Sequence, residues 1–212
     1  MSNPLPDSIL VEQAIGDQLQ AIWSNPLFSV FCHRDFLAPD KLTPGTLLFV
    51  GINPSYTEAD AAIRYYDAHA GNHPYFRAFK KLAAAVQHPW SHLDLLYQRE
   101  TEQKAIDQLL AAPNGLDFVW QQLQLSRQLL DAAQPAVIIV CNTKAREFLG
   151  LDRVGKQKAW LGLDFQWDEK LGTYRHQGIP VFFTSMLSGQ RALDTGSYQR
   201  LVWHVKRALA LG

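Results

Sequence analysis

Apolar residues recur along this chain in two rhythms: short unbroken runs, and stripes spaced three and four apart. Leu47-Leu48-Phe49-Val50 is the first run, opened by Pro44-Gly45 and followed by Gly51-Ile52-Asn53-Pro54-Ser55. It predicts a buried strand over 47–52 that leaves through a sharp turn. Ala136 to Cys141, behind Pro135, predicts a strand apolar on both faces, as parallel sheets require. Pro180 to Thr184 predicts the last core strand, and His92 to Tyr97 a more polar one. The stripe Ile9, Leu10, Ala14, Leu19, Ile22, Trp23 predicts an amphipathic helix between Pro6 and Asn25, capped by Asp7 or Ser8. Phe76, Phe79, Leu82, Ala83 and Val86 give a second stripe. Further helices are predicted from Thr101 to about Ala112, from Leu116 to Ala133, from Asn142 through Phe148, and from Tyr198 to Leu211. Trp160 to Trp167 and Gly172 to His176 read as a surface hairpin. Residues 26–45 lack periodicity, with Phe28, Phe31 and Phe36 as core anchors.

Strands alternating with helices predict a doubly wound α/β domain. In such sheets ligands bind beyond the carboxyl ends of the strands. That places Asn53, held on a stiff turn by the following proline, in a polar cleft. The cleft is built from the 53–77, 94–101, 142–146 and 185–191 loops. At 212 residues the chain is long enough for one domain with a substantial core.

Composition narrows the chemistry. The chain is 47% hydrophobic and 19% charged, and its 20 basic and 20 acidic residues cancel. This balance argues against binding driven by bulk positive charge. Arg99, Lys144, Arg146, Lys156, Lys158, Arg175 and Arg191 are the candidates for a local basic face. Cys32 and Cys141 are the only cysteines, too few for a four-thiolate iron–sulfur cluster or zinc site, and Cys141 is expected buried and reduced. The amino terminus has no basic-then-apolar signal and no apolar run approaches ~18 residues, so the expectation is a cytoplasmic protein that makes no membrane contact.

No Walker-type loop, dinucleotide fingerprint or paired-His zinc helix is present. The seven histidines are irregularly spaced and predict no metal site, and no cofactor is expected. Glu58 and Asp60 follow the turn closely enough to be general bases, although loop carboxylates are more often solvated. Ser185 and Ser188-Gly189 follow the last strand, as anion donors or as turn residues.

Val50-Gly51-Ile52-Asn53-Pro54, then a loop carrying Gly71-Asn72-His73 and an aromatic-rich helix, resembles the uracil-DNA glycosylase superfamily, nearest the mismatch-specific uracil/thymine branch. The resemblance continues in order. Leu93-Asp94-Leu95-Leu96-Tyr97-Gln98-Arg99-Glu100-Thr101 is similar to the middle strand and its Arg-x-Thr. Gln134-Pro135 and the run after it resemble the third strand, and the last strand with its Ser-rich loop falls where the second motif belongs. The similar region is about 46–208. It divides the chain into an N-terminal helical extension packed on the core (1–45) and a glycosylase-like domain (46–212).

The resemblance implies a three-layer α/β/α sandwich around a four-stranded parallel sheet, cutting the N-glycosidic bond of a base flipped out of DNA. Asn53 would position the attacking water, and Tyr66 (or Tyr65) would carry the ring on which the base stacks. Ile52, Ser55, Asn72, Asp94 and Ser185 would line the base pocket. Ser188, Gly189, Gln190 and Arg191 would enter the duplex, with Lys144 among the DNA contacts. Where the family keeps His-Pro-Ser or Asn-Pro-Ser, however, this chain has Thr184-Ser185-Met186-Leu187-Ser188. Two other readings therefore stand beside the glycosylase: a module that binds a nucleobase or nucleic acid without cutting, and a hydrolase of free nucleosides or nucleotides.

Overall fold

A computed structural model describes residues 8–58, 62–70, 73–150, 161–189 and 192–211. In chain order the elements are β1 (Ile9–Leu10), α1 (Val11–Trp23), β2 (Ala38–Pro39), β3 (Lys41–Leu42), β4 (Leu47–Gly51), β5 (Tyr65–Tyr66), α2 (Pro74–Val86) and β6 (Trp90–Asp94). Then follow α3 (Gln103–Ala111), α4 (Gly115–Ala133), β7 (Val137–Val140), α5 (Ala145–Leu149), β8 (Gln166–Asp168), β9 (Thr173–His176), β10 (Ile179–Phe183) and α6 (Thr195–Leu211).

The protein is a mixed α/β fold around a six-stranded sheet of order β6-β4-β7-β10-β9-β8. The first four strands are mutually parallel, and β9 runs antiparallel to both its neighbours, β10 and β8. The sheet is thus larger than the four strands expected. The 166–176 hairpin pairs through β9 with β10 and widens the sheet, instead of lying apart on the surface.

Because side chains alternate across a strand, each run feeds two cores. Leu48, Val50, Leu93, Ile138, Val140 and Val181 face one core, with Ile15, Leu19, Phe118, Leu123 and Phe148 from the helices packed on that side. Leu47, Phe49, Trp90, Val137, Ile139 and Phe182 face the other, covered by Phe79 and Leu82 of α2 and Leu201 and Val205 of α6. Every residue of β4, β6 and β7 is buried, which is why β4 and β7 are apolar without alternation; β6 buries Ser91, His92 and Asp94 as well.

Residues 8–45 share the first of these cores through Val11, Ile15, Leu19, Phe28, Phe36 and Leu42. Trp23, Phe28 and Phe31 each lie 5.3 Å from the Phe118 ring, so one α4 side chain gathers the aromatic anchors of that segment. α1 starts later than its stripe suggested, because Ile9 and Leu10 pair with Leu42 and Lys41. Ser8 does not cap it: among the described residues no side chain caps α1, whose N-cap position is Leu10, and the Ser8 hydroxyl meets Thr43 Oγ1 at 3.3 Å. Asp7, the other cap candidate, lies outside the described residues.

No helix among the described residues is long and apolar enough to cross a membrane. Phe118→Ala is expected to cost about 3–5 kcal/mol in urea unfolding, in one cooperative transition. A loss below about 1 kcal/mol would show that the 8–45 segment is held on by something other than this ring.

Candidate functional site

The ends of β4, β6 and β7 are level: Gly51 pairs with Asp94, and Val50 with Val140. Beyond them the pairing continues without a strand. Leu95 N donates to Gly51 O (3.3 Å), Leu96 N to Ile52 O (2.8 Å) and Glu100 N to Pro54 O (3.0 Å). Asn53 sits in the middle of this zipped loop, half-buried. Its Nδ2 donates to Pro54 O (3.0 Å) and Glu100 O (2.7 Å). Both neighbours are carbonyl acceptors, which fixes the amide nitrogen toward them. Among the described residues nothing donates to Oδ1. The chemistry left to Asn53 is a single aimed acceptor.

Two residues earlier, Gly51 meets a buried polar cluster. Tyr66 OH is 2.7 Å from His92 Nδ1, and Tyr75 OH is 3.4 Å from His92 Nε2. His92 Nε2 is in turn 3.8 Å from Asp94 Oδ1. The Asp94 carboxyl rests on Gly51, where a Cβ would lie 2.1 Å from Asp94 Oδ1 and 3.1 Å from Tyr75 OH. Glycine at 51 is what lets the carboxyl into this space. Burial pushes Asp94 up to about 8 and pulls His92 down to about 3. The 3.8 Å approach at neutral pH is therefore between two uncharged groups, not an ion pair. Burial, then the nearby Asp94, also raises both tyrosine hydroxyls. A neutral carboxylic acid carries one donor and one acceptor, the complement of an amide-like edge.

The other expected site residues are distributed as follows. Ile52 is buried with its side chain in the core, offering only backbone to a ligand. Ser55 is exposed. Tyr66 is half-buried, with Phe76 stacked on it at 5.7 Å and its hydroxyl committed to His92. His73 caps α2 by accepting from Tyr75 N at 3.3 Å. Ser185 and Ser188 are half-buried and Gly189 is exposed with φ +82°, all on the loop after β10. Glu58 is exposed. Asp60, Asn72, Gln190, Arg191, Lys156 and Lys158 lie outside the described residues.

Of the residues expected on a basic face, three have partners within the protein. Lys144 is ion-paired with Asp107. Arg175 pairs with Asp168 at 2.5 Å. Arg99 is buried and donates to Phe36 O at 3.1 Å and to Ile63 O. Among the described residues no group of three or more His, Cys, Asp or Glu is placed to hold a metal ion.

Two members of the cluster, His92 and Tyr75, were not singled out from the sequence. The signal was present: His92 and Asp94 are two apart on a strand, hence on one face, opposite a glycine. Compared with known proteins, the chain matches no family model and no curated protein.

The neutral pair has opposing effects on stability. His92, ordinarily near 6.5, refuses in the folded protein a proton that the unfolded chain accepts, so stability falls as pH drops from 6.5 toward 3. Asp94, ordinarily near 3.8, retains a proton that the unfolded chain has released, so stability falls as pH rises from 3.8 toward 8. Between 3.8 and 6.5 the two slopes oppose each other; from 6.5 to 8 only Asp94 acts, at up to about 1.4 kcal/mol per pH unit. Urea unfolding between pH 6 and 8.5 should show this decline, and Asp94→Asn should remove it. The same decline in the variant would place the titration on another group.

Proposed function

We propose that this protein is a DNA glycosylase of the uracil-DNA glycosylase fold, hydrolysing the N-glycosidic bond of a flipped uracil-type or mismatched base. The observation that carries the proposal is the Asn53 amide, anchored through Nδ2 with Oδ1 left as an acceptor at the carboxyl end of β4. Supporting it are the parallel order β6-β4-β7-β10 and the level ends of β4 and β6.

In this reading Asn53 Oδ1 accepts a hydrogen bond from the attacking water. An amide is too weak a base to deprotonate that water, so the C1′–N bond breaks first, toward an oxocarbenium-like sugar. The departing base carries the bonding pair, and the water oxygen then bonds C1′ and releases its proton. Neutral Asp94 can donate to a carbonyl of the departing base, where negative charge develops. Half-buried Tyr66, stacked on Phe76, supplies the ring for the flipped base, and Ser185, Ser188 and Gly189 line the exit of β10.

The loop after β10 favours a second reading. It reads Thr184-Ser185-Met186-Leu187-Ser188, without His, Asn or Pro. Together with the pairing of Lys144 and Arg175, it suits a pocket that recognises a base without cutting.

An abasic-site assay separates the two, using single- and double-stranded oligonucleotides carrying uracil, hypoxanthine, xanthine or a G·T mismatch. The expected result is cleavage of at least one substrate that falls by a factor of about 100 or more in Asn53→Ala, with duplex binding retained. Binding without cleavage would establish the recognition module. Cleavage unaffected by Asn53→Ala would remove Asn53 from the chemistry.

A further inference from the structure

Arg34, in the segment before β4, reaches the Asn53 loop. Arg34 Nη1 donates to Arg99 O (3.2 Å) and to Glu100 Oε2 (2.9 Å). Its guanidinium lies over the Tyr56 ring, 4.3 Å from the centroid. Glu100 O is the acceptor that holds Asn53 Nδ2, and Glu100 N donates to Pro54 O. Tyr56 is three residues beyond Asn53 and its carbonyl accepts from Thr101 Oγ1 at 3.4 Å. Arg34 therefore grips both walls of the Asn53 loop, residues 99–100 on one side and residue 56 on the other.

The grip uses properties that belong to arginine. A planar guanidinium can stack on a ring while its N–H groups reach a carbonyl and a carboxylate. A lysine could keep only the charge. The Arg34 and Glu100 side chains are 32% and 24% exposed, so their ion pair by itself contributes little to stability. The contacts hold Arg99 O and the Glu100 side chain, the groups flanking the peptide that presents the Glu100 carbonyl. That carbonyl in turn dictates which atom of the Asn53 amide faces outward.

We propose that Arg34 is a positioning residue for Asn53, which makes the N-terminal segment part of the functional site. Any effect on rate rests on the hydrolase reading; the effect on the Asn53 side chain does not. Four proteins test it: wild type, Arg34→Ala, Asn53→Ala, and the double variant. Arg34→Lys serves as the conservative control.

The Asn53 side-chain amide signals can be identified in a proton–nitrogen correlation spectrum by their loss in Asn53→Ala. In Arg34→Ala their hydrogen exchange should quicken about tenfold or more, as a hydrogen-bonded amide becomes a loose one. Arg34→Lys, which retains the pair with Glu100, should show most of the same change. With a cleavable substrate, Arg34→Ala should lower kcat about 10- to 100-fold with KM little changed. It should cause no further loss on top of Asn53→Ala, because both remove one function. If Arg34→Ala does not fold, Arg34→Lys carries the exchange and kinetic tests.

Unchanged Asn53 amide exchange in Arg34→Ala or Arg34→Lys would overturn the proposal. So would an equal rate loss in the presence and absence of the Asn53 side chain. A wild-type protein that cleaves nothing would sink the hydrolase reading alone, and amide exchange would still decide the role of Arg34.

Discussion

The site depends on a backbone ladder that outlasts its strands. β4 and β6 end level at Gly51 and Asp94, yet their chains stay hydrogen-bonded through Ile52, Pro54, Leu96 and Glu100. A strand end that simply diverged would leave Asn53 on a loop free to sample rotamers. Here the amide is stitched between two carbonyls belonging to the two sides of the ladder. Gln122 of α4 extends the same control from beneath. It accepts from Tyr97 N and Gln98 N, and donates to Gln98 Oε1 and Phe118 O. A buried amide with every group satisfied is a rigid support, and one with a partner missing would be a liability. The geometry of the loop is thus set by the core behind it.

The cluster beneath that loop shows the other side of burial. Asp94 and His92 are each almost wholly enclosed, and charging either would require solvating an ion in the interior. Neutrality is the cheaper state, at the expense of a pH-dependent strain on folding. Gly51 makes the arrangement possible by leaving room for the carboxyl, so a protonated acid is buried against the strand end two residues before Asn53. Replacing this cluster with apolar side chains would suit the core better.

Much of the fold was legible because the physics is local. Leu47–Gly51, Val137–Val140 and Ile179–Phe183 are short apolar runs that only a doubly covered sheet can use. α2 and α4 carry their stripes openly. β6 was placed two residues late, since Ser91, His92 and Asp94 interrupt its apolar character, and these polar residues are the ones the cluster uses. β1, β2, β3 and β5 are two residues each, too short for any period to register. Asn53 stood out as a polar residue on a stiff turn. Its partner Glu100 is 47 positions away, and Arg34 is 66 from Glu100. No local pattern encodes contacts of that range; they exist only once α1, α4 and the sheet have packed.

The surroundings of Asn53 also restrict what chemistry the position can support. Both groups that hold its nitrogen are carbonyl oxygens, so a carboxylate there would face two acceptors and gain no hydrogen bond from either. To remain in place an acid would have to be protonated, forfeiting its basicity, or swing away, forfeiting its aim. The loop is therefore committed to an amide, and an amide can orient water without taking its proton. Under the glycosylase proposal the barrier lies mainly in breaking the bond to the leaving group, with little demand on the nucleophile. That places the burden on whatever receives the departing negative charge. Within this cluster Asp94, the residue the ladder pairs with Gly51, is the carboxyl held protonated by burial.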